Sequence, residues 1–183
     1  MASTNYYRVL LLSVLLLLQG CVGQGRGYYY EPNPDAFPVG PIIEFSANKN
    51  IDLINVQVSA ENVVFARRRR TRDVPELKVV ANRKAWTDTA IGILQRELNS
   101  RLTRVVKGAE KKLVLSVEHV SAESGIGMWR CVVSMQAETG DGYVKMFNGE
   151  AQSGSIFRAA DAAMIRAVAE VLKDYEIWKY RQE

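Results

Sequence analysis

Hydrophobic and polar positions change rhythm several times along the chain, and each rhythm predicts an element. Ile54, Val56 and Val58 alternate with Asn55, Gln57 and Ser59, the two-residue period of a strand with one buried face, and Val63, Val64 and Phe65 can extend it. Ile91, Leu94, Leu98, Leu102 and Val105 then recur at three- and four-residue spacing, which predicts a helix over about 88–107. Thr87 or Asp88 is placed to cap its start and Gly108 to close it in a left-handed conformation, while Glu97 and Arg101 are spaced for an exposed ion pair. Alternation returns at Leu113, Leu115, Val117 and His119. It is clearest at Trp129, Cys131, Val133, Met135 and Ala137, with Arg130, Ser134, Gln136 and Glu138 on the opposite face. Thr139, Gly140, Asp141 and Gly142 form a hairpin signal before a weaker strand over 143–151. Met164, Ile165, Val168, Val171, Leu172 and Tyr175 mark a last helix from about Phe157 to Lys173 or beyond.

The predicted order is β-α-β-β-β-α. Two amphipathic helices and a sheet with one apolar face satisfy each other as an α/β (α+β) two-layer sandwich, with the helices packed on one face of the sheet. Residues 42–183 are enough for one domain with its own core, and a basic loop is expected at about 66–85, where Pro75 and mixed polarity argue against a regular buried element.

The N-terminus follows a different logic. Arg8 precedes an apolar run from Val9 to Leu18, broken only by Ser13, and Gln19, Gly20 and Cys21 follow; these are the parts of a secretion signal over residues 1–20. The run is too short to span a bilayer, which takes roughly twenty apolar residues. Leu18, Gln19, Gly20 and Cys21 resemble the lipobox of bacterial lipoproteins. That resemblance implies cleavage behind Gly20, lipidation of Cys21 and anchoring by its acyl chains, palmitate among them. Val22 after the cysteine resembles outer-membrane sorting, which implies the outer membrane, facing the periplasm. Residues 21–41, with their glycines, prolines and Tyr28, Tyr29 and Tyr30, read as a flexible tether whose tyrosines could rest at the membrane interface or on a partner.

A lipobox, a Gly/Pro tether and this order of elements resemble the small envelope lipoproteins of Gram-negative bacteria. Within that group the chain is similar to the YajG-like lipoproteins, through Phe147, Asn148, Gly149, Glu150 and Ala151 followed by Ser155 and Phe157, and to the lipoprotein partner of the lipopolysaccharide-assembly barrel.

Charge sharpens the picture. Eight of the 24 basic residues but only two of the 20 acidic ones lie between Arg67 and Lys84, so one segment is basic while the remaining body is mildly acidic. A nucleic-acid domain would carry a broader positive face, so no nucleic acid is expected as partner. Arg67, Arg68, Arg69, Arg70, Arg72, Arg83 and Lys84 are candidate anion-binding residues, because guanidinium forks match phosphate and carboxylate geometry. Lipid A phosphates, anionic headgroups or an acidic protein would fit; a solvated loop is the plain alternative.

Catalytic chemistry is sparse. The single histidine, His119, falls on the apolar face of its strand and reads as a semi-buried structural residue. With Cys21 lipidated, Cys131 is the one remaining thiol and reads as buried, and a zinc site has too few of its usual ligands. Neither a metal nor another cofactor is expected, and the chain does not read as an enzyme. The function expected is that of a membrane-anchored, non-enzymatic binding or assembly and transport accessory of the bacterial envelope, acting on an envelope protein, anionic lipid or lipopolysaccharide. Two alternatives stand beside it: a soluble secreted protein processed at Arg67–Arg70, and an envelope enzyme of unknown type.

Overall fold

The computed structural model describes residues 27–36, 38–39, 50–57, 61–68, 76–101 and 103–182. The segment 1–26, with the expected signal and Cys21, lies outside them, as do Arg69, Arg70 and Arg72. Seven strands make one sheet: β1 (Gly27–Tyr29), β2 (Ile51–Asn55), β3 (Asn62–Arg68), β4 (Leu77–Asn82), β5 (Lys111–Ser124), β6 (Trp129–Thr139) and β7 (Val144–Ser153). Three helices pack against it: α1 (Arg83–Asn99), α2 (Ile156–Lys173) and α3 (Tyr175–Gln182). The fold class is thus the mixed α+β layering that the alternation and helical stripes imply.

The order differs from the expected one at its beginning. Asn55 ends β2 because its side-chain oxygen accepts the Gln57 backbone N–H at 2.8 Å, so the alternation past Asn55 does not continue as strand. A separate antiparallel hairpin, β3–β4, follows, and its second strand lies wholly inside the stretch expected to be a basic loop. Pro75 lies outside the described residues, and within β4 Val79 and Ala81 are fully buried. The long β5 joins the two parts: its first half pairs in parallel with β2, and Ala122 near its end pairs in parallel with Ala66 of β3. Beyond β5 the antiparallel β5–β6–β7 meander is as the alternation predicts.

The first helix starts and stops earlier than its stripe suggests. Asn82, not Thr87 or Asp88, is the cap, accepting the Ala85 N–H at 3.0 Å. Thr87 is instead buried within α1, donating to the Arg83 carbonyl and accepting the Val117 N–H, both at 2.9 Å. That N–H lies where a bulge interrupts the β5–β6 register between Val117 and His119. The bulge turns His119 to solvent and brings Val120 into the core, which corrects the expectation of a semi-buried histidine. At its other end α1 gives way at Ser100, because the chain pairs with β2: the Ile51 N–H donates to the Arg104 carbonyl and the Val106 N–H to that of Ile51. Gly108 does adopt a positive φ of 79°, but in the turn before β5 and not at the helix end.

The core lies between the helices and one face of the sheet. Leu113, Leu115 and Val117 of β5, Cys131, Val133, Met135 and Ala137 of β6, and Phe147 and Ala151 of β7 are buried against Leu94 and Leu98 of α1 and Met164 and Val168 of α2. The layers touch most closely at Gly149. A β-carbon there would stand 1.9 Å from the Ala163 carbonyl oxygen and 2.4 Å from the Ala167 nitrogen, so the α2 backbone rests directly on β7. The alanines of α2 (Ala159, Ala160, Ala163, Ala167) make this approach possible. Asp174 then breaks the helical layer, adopting an extended conformation and capping α3 through the Ile177 N–H.

Two core substitutions should therefore fail in opposite ways. Leu98→Ala leaves a cavity and should cost about 2–5 kcal/mol of unfolding free energy. Gly149→Ala adds one methyl yet must displace backbone, so it should exceed the usual overpacking loss of about 1–3 kcal/mol. Denaturant titration of both variants measures this; a Gly149→Ala protein as stable as wild type would mean the layers are further apart.

Candidate functional site

Two features outside the core carry chemistry: a strap made by the first described residues, and the end of the sheet from which that strap departs. The strap begins as β1, pairing in parallel with β4 through Gly27 and Lys78, Tyr28 and Val79, and Tyr29 and Val80. It then crosses the helices. The Tyr30 carbonyl accepts the Trp86 indole N–H at 2.9 Å, and the Tyr30 ring sits among Trp86, Phe65 and Phe157, with ring centroids 4.6 Å from Phe157 and 6.3 Å from Trp86. Its hydroxyl donates to the carboxylate of Asp161, and the same carboxylate oxygen accepts the Asn33 backbone N–H at 2.8 Å. Further along, Arg96 of α1 pairs with Asp35 and donates to the Pro34 carbonyl at 3.0 Å. The segment read from sequence as a flexible tether is thus bound over Gly27–Ala36. An aromatic ring with a hydroxyl aimed at a buried carboxylate overrides the local Gly/Pro signal.

Asp161 is buried on α2 with Tyr30 as its cover. Burial, and then the Asp161 bond and charge, push the Tyr30 phenol far above its usual value. Burial also pushes the Cys131 thiol up to about 12, with the Asp161 charge adding to it, so Cys131 is a neutral, poorly nucleophilic thiol at neutral pH.

The sheet end beyond Gly27 is defined by register. Gly27 lies beside Lys78, Lys78 beside Arg67, Ala66 beside Ala122, Glu123 beside Arg130, and Arg130 beside Gln152. The starts of β1, β4 and β6, the ends of β3, β5 and β7, and the first turn of α2 all meet at this end. Arg67 and Arg68 are exposed in β3; Glu76 pairs with Arg67 at 2.9 Å and stands 4.0 Å from Lys78, so one carboxylate faces two cations. Arg130 places its fork on Glu150, both contacts at 2.6 Å, which raises the guanidinium and lowers the carboxylate through the shared hydrogen bonds.

The candidate anion-binding residues do not form one cluster. Arg83 and Lys84 lie at the far end of β4, five residues and so roughly 17 Å along the strand from Lys78. Lys84 is paired with Asp88 at 2.7 Å. Arg67 and Arg68 remain together and gain Lys78, which sequence reasoning left out of the set. Arg69, Arg70 and Arg72 fall outside the described residues. Arg67 pairs with Lys78 and Arg68 with Leu77 in the β3–β4 ladder.

Sequence reasoning missed the tip between β5 and β6. Gly125, Ile126, Gly127 and Met128 close that hairpin with a 2.8 Å bond from the Gly125 N–H to the Met128 carbonyl, and Gly127 has a φ of 72°. Ile126 is fully exposed and Met128 is 45% exposed. An apolar side chain between two glycines was the available signal.

Elsewhere, an open cleft of about 600 Å³ lies along β7 and the α2–α3 junction, where Asp174 accepts from Lys145 at 2.7 Å and Tyr143 at 3.2 Å. Burial works against the Asp174 charge, but the bonds from Lys145 and the Ile177 N–H outweigh it and hold the carboxyl below its usual range. These bonds explain Asp174 as a cap for α3. Among the described residues no three His, Cys, Asp or Glu side chains converge as metal ligands, and no helix is long and apolar enough to cross a membrane.

No family model matches the sequence, and no curated protein matches it. Among solved structures it is similar to the crystal structure of a Xanthomonas campestris protein of the DUF330 family, at 15% identity and a TM-score of 0.45, over 85% of this chain and 95% of that one. A likeness at that level carries no functional argument.

The strap offers a direct test. Asp161→Ala removes the acceptor for Tyr30 and Asn33, and should cost about 2 kcal/mol, the range for hydrogen bonds to a charged group. Amide exchange should rise within residues 27–36 ahead of the rest of the sheet. Unchanged exchange there would mean that β1 pairing and the Trp86 bond hold the strap without Asp161.

Proposed function

We propose that the chain is a bacterial envelope lipoprotein, anchored through lipidated Cys21 and serving as a non-enzymatic binding module in envelope assembly or transport from the periplasmic side of the outer membrane. The observation that carries this reading is the sequence Leu18, Gln19, Gly20, Cys21 behind a short charged and apolar leader. The layout resembles that of the YajG-like lipoproteins. Anchors of more than one acyl chain hold stably at about 0.8 kcal/mol per buried methylene, which suits a protein that works beside a membrane.

Two structural observations support the reading. The strap brings the chain that leads back to Cys21 onto the sheet at Gly27, next to the basic pair Arg67 and Lys78. The polar groups that draw attention elsewhere, Asp161, Asp174 and Arg130, are engaged in bonds that hold the fold. On this reading the ligand is an envelope protein or an anionic lipid, bound at the basic end or on the open face of the sheet that carries Ser134 and Gln136.

Mass spectrometry of the mature N-terminal peptide tests the anchor directly, and fractionation tests its consequence. Wild-type protein should stay with membranes through a high-salt wash, whereas Cys21→Ser should be soluble or remain unprocessed. A Cys21→Ser protein that is processed yet still sediments after the wash would refute the lipid anchor.

A further inference from the structure

The end of the sheet at which the strap starts brings together three things that the fold does not require there. Ile126 stands wholly in water at the tip of the β5–β6 hairpin, where turn chemistry would favour Asn, Asp or Ser, and Met128 follows half-exposed. Arg67 and Arg68 lie one strand away on β3 and Lys78 two strands away on β4, with Glu76 beside Arg67 and Lys78; Glu123 and Glu150 also belong to this end, the latter bound to Arg130. Tyr28 and Tyr29, 48% and 55% exposed, line the β1 edge.

The way the chain enters the fold selects the occupant. Gly27 is six residues from Cys21, and a fully extended chain spans at most about 3.6 Å per residue, so the acylated cysteine lies within about 22 Å of Gly27. From β1 to β5 is three strand spacings, about 14 Å. The lipid anchor, the cationic strands and the apolar tip therefore share one end of the domain. Two protruding side chains expose far less than the roughly 1,200 Å² that a stable protein interface buries, whereas a bilayer accepts isolated apolar tips with basic and tyrosine neighbours at headgroup level.

We propose that this end is the membrane-contacting face of the anchored domain: Ile126 and Met128 enter the leaflet that holds the Cys21 acyl chains, while Arg67, Arg68 and Lys78 face its anionic headgroups. The proposal rests on the lipoprotein reading above and adds to it an orientation and a ligand. Docking is then an equilibrium within one anchored molecule, in which each cation removed shifts the ratio of docked to undocked domain by roughly five-fold.

The test uses full-length lipidated protein in vesicles of phosphatidylethanolamine with phosphatidylglycerol, carrying an environment-sensitive dye on Ile126→Cys or, at the opposite end of β5, on Glu110→Cys. Cys131 is buried and Cys21 acylated, so the dye goes to the introduced thiol. The Ile126 probe should be quenched several-fold more by spin-labelled lipid than the Glu110 probe. That difference should shrink in phosphatidylcholine vesicles and in Arg67→Gln/Arg68→Gln/Lys78→Gln, a surface variant that leaves the core intact. Equal quenching of both probes on protein that co-sediments with vesicles overturns the orientation while leaving the anchor standing. A probe at Ile126 shielded from aqueous quencher but not reached by the lipid quencher means that protein covers the tip, and overturns it as well. An unacylated Cys21 in the mass spectrum of the mature protein overturns the anchor and this inference together.

Discussion

The bond between Tyr30 and the buried carboxylate of Asp161 decides what kind of N-terminal connection this protein has. A carboxylate inside an alanine-rich helix is costly unless its charge is met by donors, and here the donors come from a segment more than 120 residues earlier in the chain. Each side therefore needs the other: Asp161 without the strap loses the Tyr30 and Asn33 donors, and the strap without Asp161 loses the contact that fixes its tyrosine in the aromatic cluster. The Trp86 bond to the Tyr30 carbonyl and the Arg96 pair with Asp35 extend the same seam along α1. As a result the strap lies across both long helices and contributes a strand to the sheet.

That seam sits on a layer built for close approach. Gly149 and the alanines of α2 let helix backbone rest on strand backbone, which fixes the height of Asp161 above the sheet and so the position its partners must reach. The bulge in β5 performs a related task for α1. It frees the Val117 N–H, and Thr87, a hydroxyl on the buried face of the helix, accepts it. Both contacts join helix to sheet through groups that tolerate little substitution.

The parts legible in the sequence were those where burial alone sets the pattern. β6 alternates cleanly because every second residue from Cys131 to Ala137 meets the helices, and α2 shows its stripe for the same reason. What was misread depended on polar bonds or on pairing with distant chain. β4 was hidden by its basic neighbours and Pro75, although Val79 and Ala81 are as buried as any strand residue. The end of α1 was overextended because Val105 keeps helical spacing but bridges to Ile51. The position of His119 was inverted by one extra residue in β5. The site fared similarly: Arg67 and Arg68 were visible as charge, but Lys78 joins them only through strand register, and Arg83 and Lys84 leave them because the strand from Val79 to Asn82 lies between Lys78 and Arg83. Asp161 had a signal, one acidic residue between Ala160 and Ala162 in an apolar stripe, whose partner no local pattern could supply.

The length of free chain between anchor and domain governs how that domain meets a membrane. A twenty-residue flexible tether would have an end-to-end distance of about 25 Å and would let a domain of this size turn any face toward the lipid. Docking of the strap leaves only the six residue steps from Cys21 to Gly27, a reach of no more than about 22 Å. If Cys21 is held in a leaflet as proposed, a lead of at most about 22 Å keeps the end with Arg67, Lys78 and Ile126 nearest the lipid. The opposite end, closed by α3 where the Tyr180 hydroxyl accepts the Lys112 N–H, then points away, and the open face of the sheet stands sideways to the membrane, within reach of another envelope component. If the chain is anchored at Cys21 as proposed, the Tyr30–Asp161 bond would thereby bias the orientation of the domain, since releasing the strap would lengthen the connection to the membrane.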